Sequence, residues 1–145
     1  MVPGPARVWH GAVGVAACWA GGLRGLADRA QGWWRRGPHA DAHRAAVDAR
    51  AWEVEALLDA AGRELDRAPA DVEVGHRTAL RVRHLVDVAV EDAVRHVRRG
   101  CGPAPFAFDP ATDHVAALEL YTRQSHAERD LEALAELLSR TGPRP

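Results

Sequence analysis

Apolar side chains recur every three or four residues along most of the chain, which is the spacing of one face of an α-helix. The clearest stretch, residues 41–67, has this spacing at Val47, Ala51, Val54, Leu58, Ala61 and Leu65. The next stretch, residues 72–99, repeats it at Ala79, Val82, Val86, Ala89, Ala93 and Val97. Each pattern predicts a long helix with one buried face.

Proline and glycine divide the chain into four stretches. The helix-ending positions are Gly37-Pro38, Pro69, the segment 100–110 and Gly142-Pro143. They predict helices over 9–35, 41–67, 72–99 and 111–140. Four long helices joined by short loops predict an all-α fold, an antiparallel up-down four-helix bundle, formed by residues 1–145 as a single domain. Its core is expected to contain Val54, Leu58, Val82, Val86 and Leu131.

The first predicted helix has one face with almost no side-chain bulk. Small residues line it at Gly11, Gly14, Cys18, Gly21, Gly25 and Gly32. Because each glycine costs about 1 kcal/mol relative to alanine inside a helix, close packing should offset the loss. The pattern therefore predicts that a neighbour approaches this face, either another helix of the bundle or another subunit.

The fourth predicted helix contains a polar run, RQSHAERDL, over residues 123–131. A helix that is polar on all sides either breaks or contacts something polar. We expect a break or a specific contact near Gln124–Glu128. The run is also the densest cluster of reactive side chains in the chain, although a solvated helix face is the commoner explanation of such a cluster.

Composition excludes several functions. The 145 residues carry 19 basic and 20 acidic side chains, and every basic one is arginine. Without lysine, a phosphate-loop NTPase and Schiff-base chemistry are both excluded. The net charge of −1 argues against a nucleic-acid partner, so we interpret Trp33-Trp34-Arg35-Arg36 as a helix end.

Metal and membrane signals are weak. His39 and His43 are spaced i, i+4, but no HExxH context accompanies them and we predict no metal site. Cys18 and Cys101 form no CxxC pair, which favours a reduced intracellular setting. The uncharged residues 8–23 number fewer than the roughly 20 needed to cross a membrane, so we predict a cytoplasmic protein without membrane association.

Four segments together resemble a known family. They are WHGAVGVAACWAGGLRG, the long alanine-rich helix, RVRHLVDVAVEDAVRHVRRGCG and DPATDHVAALELYTRQSHAERDLEAL. In order and in helix length they resemble the C-terminal helical domain of acyl-CoA dehydrogenases, in a divergent actinobacterial-type branch, from about Trp9 to Leu138. The resemblance implies a flavoprotein, usually tetrameric, in which FAD lies between a middle β-domain and this domain. A carboxylate there removes the proton α to a thioester while a hydride passes to the flavin.

The resemblance also implies roles for particular residues. Gly100 and Gly102 match a Gly-Gly turn that approaches a neighbouring subunit's flavin, and Arg123 and Gln124 are the other candidate contacts to FAD. Ser125 stands where many members carry the catalytic glutamate. Glu128, about one helical turn later, is the candidate catalytic base.

The resemblance leads to two hypotheses. In the first, the chain is part of, or derived from, a flavin-dependent oxidoreductase acting on CH–CH bonds of an acyl-CoA-type substrate. It is then inactive alone and acts as a homo-oligomer or with a partner chain that supplies the N-terminal and middle domains. In the alternative, it is a non-catalytic helical association module that binds no flavin.

Overall fold

The computed structural model describes residues 5–124 and 127–141, with side chains placed for residues 9–122 and 129–140. Within these residues the chain is helical and contains no strand, which confirms the all-α prediction. The helices are α1 (Pro5–Ala30), α2 (Pro38–Arg67), α3 (Val72–Cys101), α4 (Pro103–Phe108), a 3-10 turn (Pro110–Thr112), α5 (Asp113–Gln124) and α6 (Ala127–Thr141). No helix in the described part of the chain is long and apolar enough to cross a membrane.

Local sequence explains where α2 and α3 begin and end. Gly37 precedes α2 with a φ of 120°, and Pro38 occupies the first turn, where a missing N–H costs nothing. Asp71 caps α3, since its carboxylate accepts hydrogen bonds from the backbone N–H groups of Glu73 and Val74 at 2.9 and 3.0 Å. Gly102, with a φ of 72°, ends α3.

The predicted end of the first helix is wrong. The first helix ends at Ala30 rather than at residue 35, and a turn follows in which the Trp33 N–H donates to the Ala30 carbonyl at 2.9 Å. The Trp33 indole N–H also donates to Asp109 at 2.9 Å, a tertiary contact that favours the turn. The segment 100–110 ends α3 at Cys101, as predicted, and it also contains α4 and the start of the 3-10 turn.

Contacts between particular residues give the relative directions of the helices. His43 meets His96 and Arg50 meets Asp92, so α2 runs antiparallel to α3. Trp9, near the start of α1, contacts His76 near the start of α3, and Trp34, after the end of α1, contacts Gly100 near the end of α3. Helices α1 and α3 therefore run parallel. Helix α3 is central, because it contacts all five other α-helices.

The core is built mainly on α3, whose predicted apolar face is fully confirmed. All six of its predicted positions are buried, and on α2 the buried ones are Val47, Val54, Ala61 and Leu65. Ala51 and Leu58 are only half-buried. Leu131 was expected in the core and is 46% exposed. Its inclusion in the core was wrong.

The small-residue face of α1 is open at three of its glycines, whereas a Cβ at Gly25 would lie 3.5 Å from the His114 ring of α5. A Cβ built at Gly11, Gly14 or Gly21 would meet no atom within 4 Å. The close approach occurs instead at Gly22, where a Cβ would lie 2.6 Å from Leu118. The expectation that another helix of the bundle packs on the small-residue face is therefore wrong at these three glycines.

Candidate functional site

The Gly100–Gly102 turn, matched above to a flavin-contacting turn, is packed from within the chain. Gly100 is buried, and a Cβ there would lie 2.5 Å from the Trp34 ring and 2.9 Å from the Cβ of His43. Gly102 lies against Arg35, whose Cδ is 3.2 Å from the corresponding position. The glycine at position 100 is thus required for close packing of the α1–α2 connection on the end of α3.

The other predicted site residues surround the junction of α5 and α6. Arg123 and Gln124 are the last residues of α5, and Glu128 lies in the first turn of α6. Their side chains lie outside the described residues, as do Ser125 and His126 entirely. The predicted catalytic and cofactor contacts of this run therefore stay predictions.

One member of the polar run, Asp130, has a clear structural partner. Its carboxylate accepts a hydrogen bond from the Arg83 Nε at 2.6 Å, with both side chains largely buried, at 14% and 12% exposure. The Arg83 guanidinium also lies 4.9 Å from the centre of the Trp19 ring, in a cation–π arrangement. This ion pair holds the start of α6 against α3, the central helix.

Thr122, which directly precedes the run's first residue, lines an open groove of about 540 Å³ between α3 and α5. The charged residues of the groove are Glu91, Asp92, Arg95, Arg98, Arg99 and Glu119. Arg98 forms a two-point ion pair with Glu119 at 2.9 and 2.5 Å, and Arg95 pairs with Asp92. Because three arginines face three carboxylates, the groove has no strong net charge to select an ionic ligand.

Three histidines, His39, His43 and His96, cluster beside the groove residues Asp92 and Arg95. The Nδ1 atoms of His43 and His96 are 2.7 Å apart, and the His39 ring stands edge-on to the His43 ring with centres separated by 4.5 Å. Burial lowers the pKa of both His43 and His96, and the nearby charges of Arg95 and Arg99 lower these pKa values further.

Sequence reasoning paired His39 with His43 and missed His96, which is 53 residues away from His43 along the chain. The sequence signal that could have pointed to His96 was its helical spacing from Asp92, but that spacing does not indicate which helix packs against these two residues. No group of three potential metal ligands suited to an ion is present among the described residues.

The two thiols differ in reactivity. Burial raises the pKa of Cys101 to about 11, which makes it a poor nucleophile near neutral pH. Cys18 is exposed on the small-residue face of α1.

Comparison of the chain with protein-family models, with curated proteins and with solved structures gave no match.

Proposed function

We propose that this chain is an assembly domain of the kind that ends acyl-CoA dehydrogenases, acting in the cytoplasm as part of a flavin-dependent oxidoreductase for CH–CH bonds. In this proposal it is a four-helix bundle in which α5 and α6 together form the fourth helix. The proposal is supported by the resemblance and by the order of three long helices followed by a segment that carries the polar run.

The observation that carries the assembly role is the set of large apolar side chains exposed on α5 and α6. Leu120 and Tyr121 are 58% and 53% exposed, and Leu131 and Leu138 are each 46% exposed. Where exposed apolar side chains adjoin one another, they are typical of a surface that another polypeptide covers. We propose that this surface contacts a second copy or the partner that supplies the N-terminal and middle domains.

The turn matched to the flavin contact is already packed by residues of this chain. Trp34 and His43 fill the space at Gly100, and Arg35 lies against Gly102. In our proposal the partner chain therefore binds FAD and the acyl-CoA substrate, while this chain packs against the partner and stabilises it. The same observation favours the second candidate function, a helical association module that works without flavin.

The test is to mix the purified chain with an acyl-CoA dehydrogenase-like polypeptide that consists of the N-terminal and middle domains. Light scattering after size exclusion measures assembly, and the flavin absorbance of the complex measures cofactor retention. We expect the double variant Leu131→Arg/Leu138→Arg to lose assembly. The matched control is Trp52→Arg, because Trp52 is also exposed but lies on α2.

The outcomes separate the two functions. A yellow complex that the double variant abolishes supports the oxidoreductase role. Self-assembly without any flavoprotein complex supports the association module. A chain that stays monomeric and binds no flavoprotein overturns both.

A further inference from the structure

The contact between His43 and His96 has a strict protonation requirement. At 2.7 Å between the two Nδ1 atoms, one nitrogen must donate a proton and the other must accept it. The Nε2 atom of His96 lies 3.5 Å from the Asp92 carboxylate, which favours the proton of His96 on Nε2. In the neutral pair, the His43 Nδ1–H then donates to His96 Nδ1.

Proton uptake changes this contact in two steps. A first proton leaves one donor and one acceptor, so the contact survives as a charged hydrogen bond. A second proton places an N–H on both facing nitrogens and removes the only acceptor. Two cations would then face each other at a distance where no hydrogen bond joins them, and the pair would separate.

Charged groups on both helices oppose protonation of the pair. From α3, Arg95 and Arg99 act on both histidines, and from α2, Arg50 acts on His96 and His39 acts on His43. Asp92, the carboxylate that reaches His96, is already shared between Arg50 and Arg95. From the α1–α2 connection, Arg35 adds a further cation beside Gly102.

The position of the pair determines what its separation would release. His43 lies in the second turn of α2, and its Cβ packs at Gly100 beside the Trp34 ring. The Arg35 backbone N–H also donates to the Gly100 carbonyl, at 3.4 Å. These contacts hold the α1–α2 connection and the beginning of α2 against the end of α3.

We propose that the His43–His96 contact is a pH-operated latch, closed when only one of the two facing nitrogens carries a proton and opened by the proton that places an N–H on both. Opening releases the first turns of α2 and the α1–α2 connection, which contains Trp34, from the end of α3. The remainder of α2 stays packed, because its buried residues from Val47 to Leu65 face the core.

Imidazole NMR of the full chain tests the protonation steps, and amide hydrogen exchange tests the opening. Because the pKa values of both histidines are lowered in the closed state, opening should become favourable only as pH falls below about 6.5, the ordinary histidine value. After correction for intrinsic rates, we expect exchange in the first two turns of α2 to rise about tenfold per pH unit through the second step. The amide signals of Arg35 and Gly100 should shift in that same step.

His96→Gln and His43→Gln each remove one titrating ring and should abolish the pH-dependent rise, while His84→Gln should retain it. His84 is a suitable control because it lies on the same helix, three turns from His96. The proposal is overturned if His43 titrates as a single site near pH 6.5 in both wild type and His96→Gln. It is also overturned if exchange at the start of α2 does not respond to pH in the wild type.

Discussion

A methyl group added at Gly100 tests the packing of the α1–α2 connection on α3. In the variant Gly100→Ala, the new Cβ would lie 2.5 Å from the Trp34 ring and 2.9 Å from the His43 Cβ. Because neither neighbour is the end of a flexible side chain, the Trp34 ring must shift or the start of α2 must move away from α3. Overfilling a packed site in this way costs about 1–3 kcal/mol.

Helix propensity acts in the opposite direction, since alanine is favoured over glycine by about 1 kcal/mol in a helix. The net effect of Gly100→Ala is therefore between no change and a loss of about 2 kcal/mol. The matched control is Gly62→Ala in α2, where a Cβ would meet nothing within 4 Å and stability should rise by up to about 1 kcal/mol.

Urea unfolding of the two variants compares the obstructed site with the open one. Gly100 is the next-to-last residue of α3, so its propensity gain is no larger than that of Gly62 inside α2. With a slope of about 2 kcal/mol per molar, a difference of about 2 kcal/mol separates their midpoints by about 1 M. If Gly100→Ala raises the midpoint as much as Gly62→Ala does, Trp34 does not pack on Gly100. The proposed pH-dependent release would then lack the contact that joins the α1–α2 connection to α3.

Three further predictions follow from the described contacts. Asp130→Asn leaves Arg83 largely buried without its carboxylate partner and should cost about 3 kcal/mol in urea unfolding; a loss of about 0.5 kcal/mol, typical of an exposed pair, would contradict the burial. Burial lowers the pKa of His76, so its neutral form favours the folded state: this stability is fully present above about pH 6.5 and is lost as pH falls. His76→Gln should therefore flatten the fall in melting temperature below that pH, and an unchanged profile would refute this assignment. Since the pKa of Cys101 is about 11, iodoacetamide at about pH 8 should alkylate Cys18 far faster in the folded protein, whereas equal rates would contradict the burial of Cys101.

Little of the candidate site could be predicted from sequence. The family resemblance directed attention to Gly100 and to the polar run, but it could not show that Trp34 and His43 fill the space at Gly100. In the polar run, Asp130 has a defined partner in Arg83, which lies 47 residues away along the chain. Neither contact has a local signal, because both depend on which helices lie side by side.

The sequence by itself determined the three long helices, apart from the end of the first, and the buried face of α3. Both follow from local rules, since apolar spacing selects a helix face and residues such as Asp71 and Gly102 begin and end it. The tertiary structure decided which side of each remaining helix is covered. The small-residue face of α1 is open at Gly14 and Gly21 while Leu118 closes on Gly22, and Leu131 is exposed although its spacing is helical and apolar. Periodicity marks a face as apolar, but only the arrangement of neighbouring helices determines whether that face is buried.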